Sequence, residues 1–145
     1  MRFAALATWV LAALFGLYLL RTWIANGGFR TTRDGERRSR FSPILILGHG
    51  GLAVCGLGVW IAYLTSNLNA VAWSAFVILL PVAALGSTMF GLWLRYGRGR
   101  ARGRHTYAPR HAAEDNFPPP AVLGHGLFAV ATVVLLLLTA LEITS

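Results

Sequence analysis

Four apolar runs, each about the length that crosses a bilayer, fix what this chain can become: about residues 3–25, 43–65, 70–96 and 121–143. At 1.5 Å of rise per residue, about 20 residues span a hydrocarbon core of about 30 Å. Inside that core every backbone polar group must find a partner within the chain, and runs of this length do so as α-helices. Composition agrees, with 56% of residues hydrophobic and only 12% charged. The expected fold class is all-α integral membrane, a four-transmembrane-helix bundle. Residues 1–145 form a single membrane domain with basic loops at 26–42 and 97–120.

The features within each run predict how the helices meet. Arg2 ahead of the first run would also suit a secretory signal, but the run is long for one and no clear cleavage site follows, so it reads as a retained anchor. Thr8, Ala12 and Gly16 recur every four residues and give the first helix a face that another helix can approach closely. Pro43 suits the first turn of helix two. Gly48, Gly51, Cys55 and Gly58 keep one side of that helix thin, and Trp60 and Tyr63 are expected as interfacial anchors near its far end. The short uncharged link Ser66–Asn69 makes helices two and three antiparallel neighbours. Helix three carries Pro81, expected to kink it, and a small-residue strip at Gly86, Ser87 and Gly91. Pro118, Pro119 and Pro120 form a stiff extended lead into helix four, near whose end Glu142 reads as an interfacial carboxylate. The single cysteine, Cys55, excludes a disulfide, and Cys55 and Met89 read as packing residues.

A net charge of +8 would suit nucleic acid if it were spread over a surface. Instead Arg30, Arg33, Arg37, Arg38 and Arg40 fall in the first loop, and Arg95, Arg98, Arg100, Arg102, Arg104 and Arg110 at or in the third. The positive-inside rule then puts both basic loops in the cytoplasm and both termini outside. An RGG-like nucleic-acid segment is the alternative for residues 95–120. Topology already explains those arginines, so no nucleic-acid partner is expected. The partner these loops suit is a bilayer with anionic headgroups, and His105 and His111 between them read as solvated.

Chemistry points to a pair of histidines. Leu47-Gly48-His49-Gly50-Gly51-Leu52-Ala53-Val54 and Leu123-Gly124-His125-Gly126-Leu127-Phe128-Ala129-Val130 each put a histidine four to six residues into a membrane run, flanked by glycines. Ionisable side chains there are costly and normally face a partner or cofactor. Helices two and four start at the same membrane face, so both histidines are expected at one depth, and the chain reads as two parallel two-helix repeats. Two imidazoles on facing helices can take the two axial positions of one haem iron. Gly48, Gly50, Gly51, Gly124 and Gly126 would clear space for the macrocycle, and loop arginines, Arg40 among them, could pair with its propionates. The plainer reading is a hydrogen bond from each histidine to a backbone carbonyl or hydroxyl, with Thr132 a local helper to His125. A quinone, proton or metal-ion role is a third; for copper or zinc, two imidazoles are too few.

Four membrane helices with one histidine pair on two of them resemble the b-type cytochromes, meaning cytochrome b561-like carriers and the haem-bearing anchors of succinate dehydrogenase. The resemblance implies one haem b held by His49 and His125, a possible quinone, possible partner subunits of a respiratory complex, and electron transfer between a cytoplasmic-side partner and the quinone pool. Cytochrome b561 proper uses two histidine pairs, whereas this chain has one. No nucleotide or flavin motif is present, so the chain reads as an electron-transfer subunit and not a stand-alone catalyst. Abundant Arg and Ala without Lys resembles a small protein of a bacterial plasma membrane. The alternative is a non-redox accessory or scaffold subunit of a larger complex. A small transporter is weaker, since Pro81 is the only helix interruption.

Overall fold

The computed structural model describes residues 1–31, 38–101 and 112–142, with the side chains of 97–101 and 142 left aside. Its element order is α1 (Arg2–Ala25), α2 (Pro43–Ser66), α3 (Asn69–Ala101), a 3-10 turn η1 (Ala113–Asn116) and α4 (Pro119–Glu142). Each of the four α-helices is long and apolar enough to cross a membrane, and the chain is an all-helical integral membrane bundle. Arg33, Asp34, Glu36, Arg37, Arg102, Arg104, Arg110, His105 and His111 lie outside the described residues, as do the side chains of Arg98, Arg100 and Glu142.

The boundaries follow local chemistry. Pro43 opens α2 at a position where its missing N–H costs nothing. Asn67, in the left-handed region at φ 53°, ends α2 with its N–H bonded to Tyr63 O and turns the chain into α3. At the other end Pro119 and Pro120 already belong to α4, so only Pro118 extends the lead that the three prolines suggested. The reason is the same helix-start preference, since a first-turn N–H has no intrahelical acceptor to lose. Arg2 donates to Asn67, which places the start of α1 beside the α2–α3 turn. The helices therefore alternate in direction, and α2 and α4 run the same way.

Packing is uneven along the bundle. In the half that contains the start of α1, the buried core comprises Ala5, Trp9, Trp60, Tyr63, Ala72, Ala75, Leu79, Val82, Leu136 and Ala140. Trp60 and Tyr63, expected at the interface, are in this core, with rings 4.8 Å apart. Small neighbours, Ala72 and Ala75 on α3, leave room for them, and burial inside the bundle replaces the anchoring role. Gly56 is thin for the same purpose, since a Cβ there would stand 3.1 Å from the Trp9 ring. In the other half, no residue of 13–22, 43–55, 83–96 or 123–131 is buried. That half is closed beyond the helix ends by a polar cap.

The cap is built on Glu114 and Trp23, both fully buried. Trp23 Nε1 donates to Ser39 Oγ at 2.8 Å, and Glu114 accepts from Ser39 Oγ at 3.0 Å and from the Arg40 backbone N–H at 2.8 Å. Arg40 forks onto Asp115 at 2.8 and 3.3 Å, approaches Glu114 at 3.8 Å, and lies 4.7 Å over the Tyr96 ring. Gly28 must be glycine here, because a Cβ would fall 2.1 Å from the Trp23 ring. The cap thus ties the ends of α1 and α3 and the starts of α2 and α4.

Candidate functional site

His49 on α2 and His125 on α4 are both half-buried in the loosely packed half, and their ring centroids lie 6.0 Å apart with planes at 68°. Parallel helices and similar distances from the helix starts bring them to one level. Each ring is seated on a neighbouring helix in the same manner. His49 Nδ1 is 3.0 Å from Val82 O of α3, and His125 Nδ1 is 2.8 Å from Ala12 O of α1. A carbonyl oxygen only accepts, so both Nδ1 atoms carry the proton and donate. In the neutral ring this leaves the lone pair on Nε2, and neither Nε2 has a hydrogen bond among the described residues.

A glycine makes each seat possible. A Cβ on Gly86 would stand 3.1 Å from His49 Cε1, and one on Gly16 would stand 3.1 Å from His125 Cε1. Val82 and Gly86 are four apart, as are Ala12 and Gly16. A helical side chain leans toward the N-terminus and covers the turn before its own Cα. A glycine at i+4 therefore leaves the carbonyl at i uncovered, and its second lone pair can accept from an imidazole without breaking the helical bond.

Next to the histidines, a Cβ on Gly48, Gly50, Gly51 or Gly126 would have nothing within 4 Å, so these four border open space. Gly124 differs, since a Cβ there would meet the Phe15 ring at 3.0 Å, and Phe15 in turn stacks on Phe128 at 5.9 Å. Thr132 bonds to Thr8 Oγ1 at 3.0 Å and to Phe128 O at 2.8 Å, so it joins α4 to α1 and does not serve His125. Arg40 is engaged in the cap, where only its Nε stays buried without a partner among the described residues. Among the described residues no group of three His, Cys, Asp or Glu could hold a metal ion, so the site's nitrogen donors are the two imidazoles. Beside the His125 seat an open apolar groove of about 640 Å³ runs between α1 and the start of α4, bordered by Leu14, Phe15, Tyr18 and Pro118.

The sequence pairs His49 with His125 but misses Gly16, Gly86 and the two carbonyls as parts of the site. The signal was present as small-residue strips on α1 and α3. What it lacked was the level of each helix against its neighbour, which decides that these glycines and not others lie under the rings. Set against known protein families, curated proteins and solved structures, the chain finds no match in any of them.

Proposed function

We propose that the protein is a membrane b-type cytochrome or haem-bearing anchor subunit, with one haem b held by His49 and His125 through Nε2. The observation that carries the reading is the doubled seat: two imidazoles at one level, each with Nδ1 committed to a carbonyl and Nε2 left with its lone pair. Fixing one ring nitrogen on a carbonyl orients the other and raises its basicity, which is how metal-bound histidines are normally supported. His49 and His125, with ring centroids 6.0 Å apart, are the residues that would hold the group between them. Beside the rings the open sides of Gly48 and Gly126 leave room, whereas Gly50 and Gly51 lie exposed on the helix surface.

When bound, haem supplies a one-electron carrier, and two imidazole ligands leave it no open position for oxygen. The chain's own residues hold and orient the ligand pair, and the surrounding apolar helices keep water from it. The cap closes the near end and offers Arg40 Nε as a remaining donor for an anionic edge. The groove at Phe15 and Tyr18, one ring removed from His125, is where a quinone would approach from the lipid. Electrons would pass between a cytoplasmic-side partner and the quinone pool, with both basic loops on the cytoplasmic side of a bacterial plasma membrane. The matching seats are what two parallel two-helix repeats would give.

The test is a dithionite-reduced minus air-oxidised visible spectrum of the detergent-purified protein and of His49→Ala and His125→Ala. Sharp low-spin bands in the parent, absent from both variants with helix content intact, are expected. A featureless parent spectrum from cells supplied with haem would overturn the reading. The second reading, a non-redox accessory subunit, draws on the same carbonyl bonds, because they satisfy each histidine once without any cofactor. It requires the His49 and His125 variants to alter assembly while leaving visible absorption unchanged.

A further inference from the structure

Just beyond the end of α1 the backbone brings the stems of two arginines onto one turn. Gly27 adopts φ 83°, a left-handed turn that suits glycine, and Arg30 N–H closes it on Gly27 O at 2.8 Å. Arg38 N–H then donates to Arg30 O at 3.0 Å, and Ala113 N–H to Arg38 O at 2.9 Å, so Arg38 is held between the turn and the cap. The stems of both arginines lie over the turn, with Arg30 Cδ and Arg38 Cδ at 3.3 and 3.5 Å from the position a Gly27 Cβ would take. Both side chains are exposed, and neither has a carboxylate partner among the described residues, where Arg40 takes both ion pairs.

The surroundings indicate what would neutralise the pair. Leu14, Leu17, Arg21 and Ile24 recur at three- and four-residue steps and form one exposed stripe of α1 that runs toward the turn. Phe29, exposed and edge-on to Trp23 at 4.7 Å, adds an apolar side chain one residue before Arg30. An apolar track along a membrane helix that ends in two guanidinium groups matches an acyl chain joined to a phosphate. Guanidinium binds phosphate through paired N–H donors, and at the membrane surface each basic side chain adds to the attraction for anionic lipid. Gly27 follows Gly16, the seat of His125, by eleven residues, so the arginine end of this surface is separate from the histidine pair, while Leu14 at its other end borders the groove beside His125.

We infer that Arg30 and Arg38, clasped over the Gly27 turn with Arg21 above them, form a binding site for the phosphate of an anionic membrane phospholipid. The site does not depend on haem. The experiment uses the full chain in nanodiscs of equal parts phosphatidylglycerol and phosphatidylcholine, with retained lipid counted by native mass spectrometry after transfer to detergent. The parent should keep phosphatidylglycerol in preference to phosphatidylcholine. Retention should fall about tenfold in Arg30→Gln/Arg38→Gln, and less in Arg30→Lys/Arg38→Lys, which keeps the charge but loses the fork. Arg95→Gln, at the same membrane face near the end of α3, removes one charge outside the site and should leave retention unchanged, and unchanged helix content in every variant shows that the bundle is intact. Equal retention by the parent and the Gln variant would overturn the site. So would inorganic phosphate, or an added acidic peptide or RNA, displacing the lipid at matched concentration, since the occupant would then be a soluble anion or another macromolecule.

Discussion

The two halves of the bundle are built differently from the same four helices. Where α1 begins, Trp9, Trp60, Tyr63 and Leu136 interlock with alanines, and the helices are held by side-chain packing. Around the histidines no residue of 13–22, 43–55, 83–96 or 123–131 is buried, and the helices are joined by directed bonds, His49 to Val82, His125 to Ala12 and the Glu114 network, with the Phe15–Phe128 stack. In lipid, where apolar side chains gain little by leaving their surroundings, helix association rests on close packing and on polar bonds. One half uses the first and the other the second. A half secured by bonds at its edges can stay open at its centre, and the open half holds the only two described histidines.

Breaking the packed half should have the largest effect on stability. Trp60→Ala removes a fully buried indole and should cost about 4 kcal/mol, read as a fall in the denaturant midpoint of the detergent-solubilised protein. An equivalent truncation at Leu19, half-buried in the open half, should cost under about 1 kcal/mol. If the two variants lose the same amount, the contrast in packing is not real. Glu114→Ala comes next. It strands the Arg40 backbone N–H, while the Ser39 hydroxyl can turn to Phe41 O and Asp115 still holds the Arg40 guanidinium, and should cost about 2 kcal/mol, whereas Glu114→Gln keeps one acceptor and should cost roughly half of that. Limited proteolysis after Arg38 or Arg40 would report the cap loosening directly, and a cap that resists cleavage equally in all three proteins would argue against the network.

The packed half was partly hidden in the sequence and the histidine half largely open to it. Run lengths alone give four helices, since a bilayer leaves few other solutions. Pro43, Asn67 and the short second link mark their ends by local rules that need no neighbour. The pairing of His49 with His125 follows from parallel helices and equal depth. Which way an aromatic ring faces does not follow, because in a membrane segment apolar residues surround the whole helix and periodicity carries little signal. Trp60 and Tyr63 therefore read as anchors although they are core. The cap was also out of reach, because Ser39 and Arg40 lie about 75 residues from Glu114 and share no motif with it. Arg40 shows the consequence: charge pattern places it in a basic loop, while only the fold reveals Asp115, Glu114 and Tyr96 around it.

The glycine seats sharpen the comparison at a smaller scale. Gly86→Val puts branched carbons where His49 Cε1 lies within 3.1 Å of a Cβ, and should push the ring off Val82 O at a cost of about 2 kcal/mol. Under the proposed function the same change should weaken or broaden the visible bands far more than Gly91→Val, where a Cβ meets nothing within 4 Å. Gly16→Val should repeat the effect through His125. Two seats that respond unequally would show that the resemblance between them is geometric only.

The smallest expected effect belongs to the boundary between the halves. Thr132 lies seven residues past His125 on α4 and donates to Phe128 O while sharing a 3.0 Å contact with the Thr8 hydroxyl of α1. Thr132→Val keeps the shape and removes the hydroxyl. Thr8 retains its own bond to Ala5 O at 3.0 Å, so no buried donor is stranded. Hydroxyl bonds between membrane helices are worth about 0.6 kcal/mol on average, and the loss should be of that size. A double-mutant cycle with Thr8→Val isolates it, since each single change removes the same contact. A coupling near zero would place the weight of the α1–α4 contact on the His125 seat and on Leu136. A coupling well above about 1 kcal/mol would mean that the polar mode of attachment extends past the histidines into the packed half.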